Sequence, residues 1–106
     1  MEDVFRALAD ESRRALLDTL FARNGQTLSE LADRLPMTRQ AVAKHLAILE
    51  GANLVAVVWR GREKLHYLNP VPIGEIVRRW VGKFEDARLD ALVDFKEQLE
   101  RERHRA

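Results

Sequence analysis

Pro36-Met37 falls between two short amphipathic runs, and that break constrains this chain more than any other feature. Before it, Thr27-Leu28-Ser29-Glu30 has the form of a capping box. The Thr27 hydroxyl can accept from the Glu30 amide while the Glu30 carboxylate reaches back to the Thr27 amide. The helix so opened is short, with Leu28, Leu31, Ala32 and Leu35 inward, and the proline ends it. Thr38 then caps a helix running to about Glu50, with Ala41, Val42, Leu46 and Leu49 inward at helical spacing. Gly51-Ala52-Asn53 closes it, Asn53 being able to supply a left-handed cap. Two helices joined so tightly form a helix-turn-helix over residues 28–50.

The flanks complete the plan. Glu2 to Ala9 reads as a short helix, and Asp10 as the N-cap of a helix from Glu11 to Ala22 with the apolar stripe Leu16, Leu17, Leu20 and Phe21. Asn24-Gly25 ends that helix, Gly25 being free to adopt positive φ. Leu54 to Trp59 and Lys64 to Asn69 read as strands around the turn Arg60-Gly61-Arg62-Glu63, a hairpin over residues 54–69. Pro70 and Pro72 stop it, and a long helix follows over 73–100, weakened or bent at Gly82 and frayed from Arg101 onward. The expected fold is mainly α with a two-stranded β-wing: one winged helix-turn-helix domain over residues 1–106.

In this arrangement the second helix of the pair enters the DNA major groove. It needs an apolar face to hold it on the scaffold, hydrogen-bonding side chains on the opposite face, and an N-terminus near phosphate. Thr38, Arg39, Gln40, Ala43 and Lys44 supply the outward face. Arg39 can donate to guanine and Gln40 to adenine, while Thr38 caps the helix and touches phosphate. Arg60, Arg62 and Lys64 place cations on the wing. From Arg39 to Lys64 there are five basic residues against two acidic ones, although the whole chain carries only +1. Arg13 and Arg14 start the second helix, and one of them is expected to be structural, paired with Asp10 or Asp18. His45 is expected to be packed or bonded to backbone, His66 to face outward from its strand, and His104 to lie in the tail.

The composition narrows the chemistry. With no cysteine, disulfides, thiolate metal sites and cysteine nucleophiles are excluded. No apolar run is long enough to span a membrane and the acidic start does not resemble a signal peptide, so a cytoplasmic protein is expected. Paired acids and a glycine-rich phosphate loop are also missing, and Ser29 has no histidine partner in prospect; no enzyme, cofactor or metal is expected.

Leu28-Ser29-Glu30-Leu31-Ala32 and Thr38 to Glu50 resemble the DNA-reading core of the ArsR family of bacterial winged-helix repressors. Phe5 to Arg14 resembles its N-terminal signature, and Leu54-Val55 with Arg60 to Tyr67 its wing. The likeness runs to about residue 95. It implies a homodimeric repressor of transcription, dimerised through its first and last helices (residues 1–9 and 73–100), with control of its own gene as a family expectation. Glu11 stands where many relatives have proline, and Asn53 where they usually have glycine; neither threatens the fold. The metal-sensing members place cysteines on the first helix of the pair, or histidine and carboxylate pairs on the last helix. Here the first positions are Leu28, Ser29, Glu30 and Leu31, and the last helix offers Asp86, Asp90, Asp94 and Glu97. An exposed all-carboxylate face is a poor zinc site. The chain is therefore similar to the family's cysteine-free branch, that of the autorepressor SdpR.

A long amphipathic helix on so small a domain has little of its own chain to pack against, and a second copy is the natural cover. Phe5, Leu8, Trp80, Phe84, Leu89 and Leu92 are the expected interface. The expected partners are thus a second copy and double-stranded DNA carrying an inverted-repeat operator. Two other readings stay open: a repressor that a metal or small molecule releases from DNA, and a winged-helix module that binds protein. Arg39, Gln40 and Lys44 facing water argue against the latter, since a protein-binding helix would expose more apolar area.

Overall fold

The computed structural model describes residues 1–84 and 87–105, the side chains of Phe84, residues 87–89 and Arg105 excepted. The chain divides into two compact units, Met1–Pro72 and Ile73–Ala106. The first unit holds α1 (Glu2–Leu8), α2 (Glu11–Ala22), α3 (Leu28–Arg34), α4 (Arg39–Gly51) and the antiparallel hairpin of β1 (Val55–Arg60) and β2 (Glu63–Leu68). The fold is mainly α with a two-stranded wing, as the sequence patterning leads one to expect.

Local signals set the element ends. Asp10 accepts from the Arg13 amide at 3.0 Å. Thr27 and Glu30 close both halves of the capping box. Thr38 accepts from the Ala41 amide at 3.1 Å. Gly25 has φ 81° and Asn53 φ 61°, the left-handed values their positions require. The core of this unit gathers Leu16, Leu17 and Leu20 from α2, Leu31 from α3, and Val42, Leu46 and Leu49 from α4, all buried, with Leu54 beside them.

The seven-residue α1 is too short to hold itself and is fastened from α2. Arg13 donates Nε to the Ala7 carbonyl at 2.8 Å and a terminal N–H to the Arg6 carbonyl at 3.1 Å. Arg14 donates to the Leu8 carbonyl at 2.7 Å. These carbonyls lie at the end of α1, where helical donors run out and cations are favoured, the Arg6 carbonyl also accepting from the Ala9 amide at 3.3 Å. Both arginines are thus structural, where one was expected to be, and Arg13 also pairs with Asp10 at 3.6 Å.

Three expectations change. Phe21 is 78% exposed instead of completing the α2 stripe. It lies about 100° round the helix from Leu20, at the last turn, past the edge of the core. His66 is only 3% exposed instead of facing outward. Leu65 and His66 are adjacent and both buried, so β2 is covered on both faces and alternation does not tell them apart. The long C-terminal helix is segmented. It starts at Val71 as α5 (Val71–Ile76), widens into a π-helical turn (Val77–Val81), tightens to a 3₁₀ turn (Gly82–Phe84), and resumes as α6 (Ala87–Arg105). Pro72 opens this helix instead of preceding it, since proline is tolerated in a first turn. The amide of Gly82 donates to the Val77 carbonyl, the five-residue reach of a π turn. Arg101–Arg105 stay helical, with Glu97 and Glu100 placed four and three residues before Arg101 and Arg103.

The Arg13 amide N–H, with the guanidinium charge adding to it, holds the Asp10 carboxyl below its ordinary value. The Thr27 amide does the same for Glu30, with the Thr27 hydroxyl adding to it. Carboxyls lowered in the folded state lend stability above the ordinary carboxylate range and lose it as pH falls through their folded values, below about pH 4. Asp10→Asn keeps a capping side chain but removes the charge. Its melting temperature, followed by circular dichroism, should fall less steeply than that of the parent chain between about pH 5 and pH 2; parallel curves would show that Asp10 lends no such stability.

A second test concerns Gly25, where an added Cβ would lie 3.0 Å from the Tyr67 hydroxyl oxygen at φ +81°. Gly25→Ala should cost about 1–2 kcal/mol in urea unfolding from the backbone conformation alone.

Candidate nucleic-acid interface

The side chains of α4 divide cleanly. Val42, Leu46 and Leu49 are buried, and Arg39, Gln40, Ala43 and Lys44 are exposed on the other side. Thr38 is also exposed and spends its hydroxyl on the Ala41 amide, so its capping role is built in. Arg39 and Gln40 occupy the first turn of α4, where backbone N–H groups lack helical acceptors and the helix dipole favours anions. The face therefore offers a cation and an amide beside a positive helix end.

The wing is a two-residue hairpin. Arg60 registers with Glu63, leaving Gly61 and Arg62 as the turn. Gly61 has φ 63° while Arg62 does not have positive φ, the pattern of a type II′ turn. Arg60 and Arg62 are exposed. Lys64 is half-buried, and its Nζ lies 3.4 Å from Glu50 at the end of α4. Of the three wing cations, two stand in water and the third ties the wing to α4.

A further link fixes the wing's other edge. The His66 amide donates to the Gln26 carbonyl at 2.8 Å, and the Gly25 amide donates to the His66 carbonyl at 2.9 Å. The His66 ring places Nδ1 2.9 Å from the same Gln26 carbonyl. Gln26 is fully buried and its amide donates to the Arg23 and Thr19 carbonyls at 2.6 and 3.3 Å, closing the end of α2. Asn24 adds an acceptor for the Leu68 amide at 2.8 Å. Sequence reasoning missed Gln26, because a lone polar residue between a helix end and a capping box carries no periodic signal. It also missed Trp59, which is 64% exposed and registers with Lys64; a tryptophan closing a β-branched run reads as core. His45 is half-buried, as expected of a packed ring, and its Nδ1 is buried with no hydrogen-bond partner among the described residues.

The expected dimer residues fall in both units. Phe5 is exposed and Leu8 half-buried on α1. In the second unit Trp80 and Leu92 are exposed, joined by Val93, Phe95 and Leu99. The side chains of Phe84 and Leu89, and all of Asp86, lie outside the described residues. Among the described residues no helix is long and apolar enough to cross a membrane.

Comparison with known proteins agrees with this geometry. A helix-turn-helix domain family matches residues 8–58. The uncharacterized HTH-type transcriptional regulator YuzN of Bacillus subtilis (strain 168) is 40% identical over 84 residues, covering 74% of this chain and 91% of that protein. The transcriptional repressor SdpR of the same organism is 26% identical over 84 residues, covering 79% of this chain and 91% of that one. An ArsR-like transcriptional regulator from Rhodococcus sp. RHA1 superposes with a TM-score of 0.72 at 38% identity, covering 92% of this chain and 90% of the other. A core-anchored helix with a polar outer face, a hairpin seated beside it, and these relatives lead to one conclusion: the chain is a DNA-binding transcriptional regulator and belongs to the ArsR family of winged helix-turn-helix proteins.

Proposed function

We propose that this regulator is a homodimeric repressor that sits on an inverted-repeat operator, in the first instance that of its own gene, and blocks polymerase there. The observation that carries the DNA-reading part is the exposed α4 face of Arg39, Gln40, Ala43 and Lys44, flanked by Arg60 and Arg62 on the wing. Arg39 and Gln40 read bases; Thr38, Lys44 and the wing arginines hold phosphates. Lys64 serves the interface indirectly, by bracing the wing on Glu50.

The dimer rests on the second unit. Leu92 is 63% and Phe95 58% exposed, and Val93 and Leu99 are exposed with them on one chain segment. So much apolar surface on a charged helix is covered most simply by its copy. A two-fold dimer spaces its recognition helices by about one DNA turn, roughly 34 Å, which matches an inverted repeat. Without a cysteine, no thiolate sensor controls it. It works in the cytoplasm, on DNA, with no catalytic step, cofactor or metal.

Arg39→Ala and Gln40→Ala should each cost about 1–3 kcal/mol of operator binding and relax sequence preference. Arg62→Ala should weaken binding evenly and lower the salt slope by about one unit. Fluorescence anisotropy with the duplex upstream of the gene, beside scrambled DNA and in EDTA, reads all three. Operator affinity unchanged by Arg39→Ala and Gln40→Ala would overturn the assigned face.

Leu92→Asp should leave the first unit folded by circular dichroism and give monomers by light scattering, with weak operator binding. An intact dimer would overturn the interface.

A further inference from the structure

The wing and α4 leave an open cleft of about 610 Å³ between them, within the range of small-molecule sites. Arg39, Ala43, Ala47 and Glu50 line it from α4, Arg62, Lys64 and His66 from the wing, and Thr27, Leu28 and Ser29 from the start of α3. Three observations give it a chemistry. First, His66 is almost wholly buried, and its Nδ1 faces a carbonyl, which only accepts; Nδ1 therefore carries the proton. In that tautomer Nε2 is the accepting ring nitrogen, and His66 lines the cleft. Second, Lys64 and Glu50 answer each other at 3.4 Å, whereas Arg39 and Arg62 have no ion pair among the described residues. Third, Ala43, Leu46 and Ala47 give the α4 side of the cleft an apolar lining.

We propose that this cleft binds a small organic hydroxy acid: a carboxylate met by the guanidinium groups of Arg39 and Arg62, an apolar body over Ala43 and Ala47, and a hydroxyl donated to Nε2 of His66. Guanidinium forks match carboxylates in shape and charge. Binding of the acid occupies Arg39 and Arg62, so it competes with the operator and releases it. This regulatory half rests on the DNA-reading face proposed above; the site itself does not.

The test uses para-hydroxyphenylpropionate as probe and phenylpropionate, which lacks the hydroxyl, as control. The full chain, labelled with nitrogen-15, is titrated with each. The expected result is saturable shifts at Ala47, Lys64 and His66, with the His66 Nε2 resonance moved by the hydroxylated acid alone. Ala47→Trp, at an exposed position of α4, fills the cleft and should abolish these shifts; its operator binding is read against its own acid-free value. Saturating acid should weaken operator binding at least about tenfold in the parent chain and leave Ala47→Trp unaffected. No saturable shift, or shifts that Ala47→Trp leaves in place, would overturn the site. Cleft shifts without loss of operator affinity would overturn the competition. Failure of the acid-free parent chain to bind operator counts against the DNA-reading face alone, since the shifts are read without DNA.

Discussion

The Gln26–His66 bridge is the constraint on which the interface depends. A two-stranded hairpin is marginal in water by itself and needs a surface to lie on. Here the outer edge of β2 is paired to Gln26 through backbone groups, and the His66 ring adds a bond to the same carbonyl. The Gln26 side chain in turn closes the end of α2, so one buried residue joins the end of α2, the start of α3 and the wing. Its Oε1 is buried without a partner among the described residues, a local cost accepted at the joint. Lys64 and Glu50 brace the wing a second time, against α4. With both links made, the wing tip is held relative to the recognition helix, and their spacing becomes a fixed property of the first unit.

This rigidity bears on how the chain binds DNA. A net charge of +1 provides little long-range attraction for a polyanion. Lys64 is compensated by Glu50, and Arg13 and Arg14 are spent on the carbonyls of α1. On α4 and the wing four exposed cations have no ion pair among the described residues: Arg39 and Lys44, with Arg60 and Arg62. A protein with so few must place them well, because each well-placed contact releases counterions and a misplaced one contributes nothing. Fixed geometry stands in for gross charge.

What was legible in the sequence was local. The capping box at Thr27 and Glu30, the cap at Thr38, positive φ at Gly25 and Asn53, and the tight turn at Gly61 each depend on residues within a few positions, and each formed as read. The inward stripe of α4 was legible because its period is uninterrupted over thirteen residues. What was not legible depends on contacts far along the chain. His66 turns inward because Gln26, forty residues earlier, covers it. Lys64 turns back because Glu50, fourteen residues earlier, awaits it. Phe21 fits the helical period of its stripe and still stands in water, because period tells which way a residue points but not where its neighbours end.

The second unit shows the same limit at a larger scale. Its apolar residues carry a helical period in the sequence, yet the helix changes pitch twice between Val77 and Phe84. A π turn followed by a tighter one rotates the residues after it relative to those before, so Trp80 and Leu92 need not share the face that an even 3.6-residue period gives them. Within α6, Leu92, Phe95 and Leu99 keep their helical spacing and remain a coherent stripe. The pitch changes thus leave the α6 stripe as the coherent apolar face of this unit. Gly82 makes those changes inexpensive: an added Cβ there would lie 3.7 Å from the Val77 carbonyl oxygen, ordinary contact, so the residue serves by its small loss on distortion and not by avoiding a clash.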